Sequence, residues 1–185
     1  MRAALTLVPR VLLALPLPAQ TIPEPAPPSS PCGPANVKFE VKLDRSEHFL
    51  SQPEPEKALV YVIEVFQRPP GEWGTPTIRV GLNGKWVGAN RGTSYLSFSA
   101  DAGENHFCTN WQSVWKQLSN QHSLTSFVAE AGKTYFFRVQ THFKTYGYGV
   151  AQPGVVWSFD LQPMNSDEAK NFIAASPLSI SQPKR

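Results

Sequence analysis

Three short stretches constrain this chain more than any others: GLNGKWVG at 81–88, DAGENHFC at 101–108 and EAGKTYFFRV at 130–139. Each couples a turn signal to a run of strand-forming residues. Such turns recur at intervals of about 8–12 residues, the rhythm of an antiparallel β-sandwich. The first is the most explicit. Asn83-Gly84 suits a two-residue type I′ turn because both residues tolerate positive φ. That turn predicts Leu82 opposite Lys85, Gly81 opposite Trp86 and Val80 opposite Val87. Ile78, Val80, Leu82 and Val87 then share the core face, and Trp86 lies on the other face, diagonal to Arg79, in reach of a cation–π contact.

The same patterning continues along the chain. Val37, Phe39, Val41 and Leu43 alternate with polar residues, the period of a strand with one buried face. Residues 58–66, ALVYVIEVF, are almost continuously apolar, which predicts a central strand covered on both faces. Residues 93–99 and 104–110 read as a pair joined by Asp101-Ala102-Gly103. Strands at 123–129, 133–142 and 155–161 follow. Then the period changes. Asn165 can cap a helix with Glu168 three residues on, and Ala169, Phe172 and Ile173 fall on one helical face before Pro177. The expected fold is a mainly β, antiparallel sandwich, immunoglobulin-like or PEGA-like, of about seven to nine strands. One short C-terminal helix completes it. The expected domain spans 36–176, with 177–185 as a loose tail.

The ends of the chain carry the cellular signal. Arg2 and Arg10, the apolar run 11–17 and Leu17-Pro18-Ala19 have the order of an export signal cleaved after residue 19. The run is too short to span a bilayer and is interrupted by prolines, so no transmembrane segment is expected after its removal. A Pro-rich tail on a cytoplasmic chain would have a similar composition. Residues 20–35 form a Pro-rich linker, expected to be extended and mobile up to Cys32. Residues 1–19 hold two Arg and no acidic residue, so the formal charge of +3 falls by two to +1 once they are removed. A chain this close to neutral has little electrostatic basis for binding nucleic acid. Its two cysteines, Cys32 and Cys108, are an even count in an exported chain and are expected to form a disulfide. Closing so long a loop stabilises by about 4 kcal/mol at most in the chain-entropy model.

Several pieces together resemble a family. Asn83-Gly84-Lys85-Trp86-Val87-Gly88, the turn Gly103-Glu104-Asn105-His106, the run Ala129 to Arg138 and Asp167-Glu168-Ala169 follow one another as in the bacterial domain of unknown function 2846. The resemblance covers about residues 58–175, and the hairpin is also similar to PEGA-type sandwiches of envelope proteins. It implies an exported β-sandwich with no assigned chemistry and brings no catalytic residues. This chain departs from the pattern in having no lipidation cysteine after its leader, and Ala102 stands where the pattern has proline.

The residues offer little chemistry of their own. No G-x-S-x-G nucleophile motif, C-x-x-C spacing or phosphate-cradling glycine loop occurs. His106 and Cys108 share a strand face, but a zinc site needs three or four such ligands. No catalytic residue, cofactor or metal is therefore expected. Glu64, inside an apolar strand, reads as a hydrogen-bonded edge residue or a partner for Arg138. Aromatics are the surplus. Trp157 reads as core, whereas Trp111, Trp115, Tyr146 and Tyr148 form a candidate ligand-stacking surface in the segments 111–122 and 144–154. The expectation is an exported, non-enzymatic sandwich domain, periplasmic or extracellular, that binds or scaffolds an envelope protein or polysaccharide. The alternative is a carbohydrate-binding module using the exposed Trp and Tyr side chains, and a hydrolase of unknown type ranks last.

Overall fold

Residues 32–46, 50–67, 74–114, 116–147 and 154–184 are described by a computed structural model. The expected leader, residues 1–19, and all of the linker before Cys32 lie outside them. The elements in chain order are β1 Phe39–Asp44, β2 Lys57–Val65, β3 Thr77–Leu82, β4 Lys85–Arg91, β5 Ser94–Asp101 and β6 Gly103–Trp111. They continue with α1 Lys116–Ser119, β7 His122–Ala129, β8 Thr134–Tyr146, β9 Gly154–Pro163, α2 Ser166–Ala175 and β10 Leu178–Pro183. Six strands form one sheet in the order β1-β10-β5-β2-β8-β9, and four form the other in the order β4-β3-β6-β7. The two sheets pack face to face as a β-sandwich. Ten strands among the described residues exceed the expected number. Two pairs of the larger sheet, β2 with β8 and β10 with β5, run parallel.

β2 is central, as its unbroken apolar run requires. Val60 and Val62 point between the sheets, where they meet Ile78, Val80, Phe107, Phe137 and Val139. Leu59, Tyr61 and Ile63 point the other way and are covered by Ala169 and Ile173 of α2. That helix is capped as its sequence indicates: Asn165 Oδ1 accepts the Glu168 amide at 2.8 Å. Arg138 reaches back to Glu168 at 3.2 Å, tying β8 to the first turn of the helix.

The hairpin of β3 and β4 turns at Asn83 (φ 51°) and Gly84 (φ 75°), the positive φ pair of a type I′ turn. Leu82 pairs with Lys85 and Gly81 with Trp86. Beyond them a β-bulge changes the register, so Val80 faces Gly88 rather than Val87. The extra residue is left unpaired and its side chain is re-aimed. Val87 is consequently 37% exposed instead of joining the core. β10 approaches closely at Gly88, where a Cβ would meet Ser181 Oγ at 2.9 Å.

Two other expectations are corrected. Residues 94–101 and 103–111 are strands, but they belong to different sheets, and Asp101-Ala102-Gly103 is a corner that carries the chain across the sandwich. Asn105 holds that corner by donating to the carbonyls of Asp101 and Gly103 at 2.9 and 3.0 Å. Adjacent strands of opposite sheets have the same alternation as a hairpin, which is why the sequence reads either way. The C-terminal tail is likewise not loose. After Pro177, β10 inserts between β1 and β5, pairing Phe39 to Asp44 antiparallel along its whole length.

Because β10 is the only neighbour of β1 in the sheet order, deleting residues 178–185 should remove the partner of β1 and expose the flank of β5. The expected result is a melt, followed by circular dichroism, that shifts down by more than 10 °C or loses cooperativity. That is the scale of a domain losing several kcal/mol. An unchanged melt would show that β10 is dispensable.

Candidate binding surface

The N-terminal residues of the described chain are bound to the outer face of the smaller sheet, and the residues that hold them border a surface groove. Cys32 and Cys108 lie with Cα atoms 5.1 Å apart, joined as a disulfide. The Cys32 carbonyl presses on Gly81, where any side chain would collide with it. Trp86 Nε1 then donates to the Pro34 carbonyl at 2.8 Å. Arg79, buried in spite of its charge, donates through Nη1 to the Val37 and Ala35 carbonyls at 2.6 and 3.3 Å and through Nε to Asn110 Oδ1 at 3.1 Å. Its guanidinium also lies 4.4 Å from the Trp86 ring centre, the cation–π contact read from the hairpin register. Asn110 passes the network on by donating to the carbonyls of Ser119 and Gln121.

Beside this network is a groove of about 380 Å³ lined by Pro34, Val37, Phe39, Lys85, Trp86, Val87, Ser181 and Pro183. Its floor is apolar and aromatic, and the exposed Lys85 ammonium stands at its rim. The bulge that turns Val87 outward supplies one wall. A second, wider depression of about 660 Å³ lies between α2 and the end of β1, lined by Arg45, Leu50, Tyr95, Lys170, Ile173 and Pro177 among others. Burial, and then the negative fields of Tyr61 and Asp44, push the Tyr95 hydroxyl above its ordinary pKa, so it remains a neutral hydrogen-bonding group there.

Of the aromatic surface expected from sequence, Trp111 is the one member whose side chain is among the described residues. Trp111 is a core residue, 6% exposed, packed against Trp157 at 5.7 Å and Phe159 at 6.0 Å. Its place at the end of an inward-facing alternation with Phe107 and Thr109 explains the burial. Tyr146 ends β8, but its side chain, with Trp115 and Tyr148, lies outside the described residues. Residues that hold the groove's lining in place gave weaker signals. Gln112, for example, acts as a surrogate strand residue, accepting the Phe39 amide at 2.6 Å and donating to the Phe39 carbonyl at 2.9 Å. Nothing in the local sequence marks that role.

The described histidines are dispersed. His106 contacts Ser126 Oγ, His122 the Asn120 carbonyl and His142 the Asp160 carboxylate, each exposed and on its own stretch of surface. Among the described residues no three His, Cys, Asp or Glu side chains group as metal ligands. Glu64 is the unusual acid. It is neither at an edge nor paired with Arg138: it is fully buried on the inner face of β2, and neither carboxyl oxygen has a hydrogen-bond partner. Burial raises its pKa well above the ordinary carboxylate range. The Gly92 amide opposes this, and burial outweighs it. Asn90 of β4, buried and donating to the Val62 carbonyl at 3.0 Å, likewise has no donor to its Oδ1. Compared with protein-family models, curated proteins and solved structures, the chain matches none.

Glu64 sets a pH dependence. In the unfolded chain it ionises near pH 4.3, whereas in the fold it holds its proton to higher pH. Its contribution to stability is therefore full in acid and is lost as pH rises through the window between the two values. The slope is at most about 1.4 kcal/mol per pH unit. Denaturant melts of wild type and Glu64→Gln from pH 4 to 9 should diverge, the wild type weakening relative to the variant as pH rises. Parallel curves would show that the acid is not held neutral.

Proposed function

We propose that this chain is an exported, non-enzymatic β-sandwich domain that binds a component of the bacterial cell envelope. The observation that carries the reading is the groove beside Trp86: an apolar, partly aromatic trough whose walls are fixed by a disulfide, a buried arginine and a β-bulge. Binding sites gain from such pre-organisation because little side-chain freedom is lost when a partner docks. The cysteine pair favours an oxidising compartment, in keeping with the charge and apolar order of residues 1–19. The resemblance to the bacterial domain of unknown function 2846 supports the same assignment. Catalysis is disfavoured by the dispersal of the titratable side chains, each engaged at a separate point of the surface.

The partner class follows from the lining. Trp86, Phe39, Val37 and Val87 favour apolar side chains, and Lys85 favours a carboxylate near one end, which describes a peptide segment better than a polysaccharide. The carbohydrate reading loses Trp111 to the core and now rests on Trp115, Tyr146 and Tyr148.

Affinity capture from a bacterial envelope extract with immobilised wild type and Val87→Asp separates these readings. Val87 is exposed, so the variant should fold, and it should lose a protein partner at least tenfold. Recovery of polysaccharide by both forms would overturn the peptide reading in favour of the carbohydrate one. As a separate check on export, the protein recovered from a periplasmic fraction should have an intact mass that begins at Gln20.

A further inference from the structure

The described chain crosses the outer face of the smaller sheet strand by strand. Pro34 and Gly33 lie on Trp86 of β4, the Cys32 carbonyl on Gly81 of β3, and the Cys32 sulfur on Cys108 of β6. The sheet order is β4-β3-β6-β7, so the next strand along this path is β7. The residue of β7 opposite Cys108 is Leu124. Leu124 is 53% exposed and Val128, on the same face, is 68% exposed. A shallow recess of about 200 Å³ beside them is lined by His106, Phe107, Cys108, Leu124, Thr125 and Ser126. β7 is an edge strand whose sequence, HSLTSFVA, contains no Lys, Arg, Asp, Glu or Pro to guard it. Edge strands with exposed apolar side chains invite pairing with other chains unless something covers them.

We propose that the chain's own Pro-rich segment, residues 20–31, covers this strip, continuing over β7 the path set by residues 32–34. The reach is short. Neighbouring strands are about 4.8 Å apart, and an extended proline-rich segment advances about 3.1 Å per residue. Two residues before Cys32 therefore arrive at Leu124, and those further back run on towards Val128. The segment, QTIPEPAPPSSP, is suited to the task. Pro23, Pro25, Pro27, Pro28 and Pro31 have no amide donor to strand on an apolar surface. They also have little conformational freedom to lose. Ile22 adds apolar area, and Glu24 is the only charge. The Cys32–Cys108 bond is then the pin that sets where the cover begins.

Methyl-labelled full chain and a variant lacking residues 21–30, with Cys32 retained, test this by NMR. Nuclear Overhauser contacts from ring protons of Pro23 to Pro31 to the methyls of Leu124 and Val128 are expected in the full chain. Deletion should shift those methyls while the buried methyls of Val60 and Val62 stay in place. The double variant Leu124→Ser, Val128→Ser changes only exposed side chains; in it the same deletion should leave the melting temperature unmoved, whereas in the wild-type background the deletion should lower it. Absence of the contacts, or methyl shifts indifferent to the deletion, would overturn the proposal. So would contacts that prove intermolecular in a mixed-label sample, which would assign the cover to a second copy.

Discussion

A strand buried on both faces needs two covers, and β2 is that strand. Its even-numbered side chains, Val60 and Val62, require a second sheet, and its odd-numbered ones, Leu59, Tyr61 and Ile63, require something on the far side. The helix after β9 supplies the far side with Ala169 and Ile173, fixed by the Asn165 cap and the Arg138–Glu168 pair. Fully burying each such aliphatic or aromatic side chain contributes on the order of 1.5–3 kcal/mol. The placement of both sheets and of α2 thus follows from one nine-residue run. The same geometry confines Glu64. As the next even position after Val62, it is carried into the inter-sheet space with no charged partner to meet it. A carboxyl group in that position is tolerated by keeping its proton, since burial of the ionised form would cost several kcal/mol.

Edges are the second problem that a two-sheet protein must solve, and at two of the four edge strands, β1 and β9, side chains from in or beside the strands of the smaller sheet meet backbone groups. Gln112 occupies both backbone groups of Phe39 at the edge strand β1. Gln121 donates to the Trp157 carbonyl and Ser123 accepts the Leu161 amide, both on the edge strand β9. These contacts join the two sheets along their flanks as well as through the core. Each is worth about 1 kcal/mol net, but a buried backbone group left unmatched would cost more.

The fold was legible from sequence wherever a local rule determined the outcome. The type I′ turn at Asn83-Gly84, the alternation at 37–43, the two-sided run at 58–66 and the Asn165 cap depend on nearest neighbours, and all stand in the structure. What was not legible depends on which sheet a strand joins. Residues 94–101 and 103–111 have a hairpin's pattern and turn, and only the tertiary arrangement sends them to opposite layers. β10 was hidden for a related reason. Its sequence, LSISQP, is polar because Ser179 and Ser181 face inward to hydrogen-bond partners, Ser94 Oγ at 2.8 Å and the Ala89 amide at 3.1 Å. Hydrophobic periodicity cannot detect a strand whose inward residues are serines.

The candidate surface shows the same division. The Trp86–Arg79 contact was readable because it follows from hairpin register alone. Trp111 was misread because exposure of an aromatic depends on strand parity beyond the turn, and at position 111 that parity points inward. Val87 was misread by one bulge, and this local irregularity is also what gives the groove its outer wall. A bulge costs ladder hydrogen bonding and leaves one residue unpaired, so its place beside a pre-formed apolar trough needs a compensating interaction. The surrounding contacts supply part of it: β10 lies close to Gly88, where a Cβ would meet Ser181 Oγ at 2.9 Å, and Ser181 accepts the Ala89 amide. The Trp86 groove is thus secured from behind by β10 and open in front at Val87, and its lining is less polar than that of the larger depression at α2.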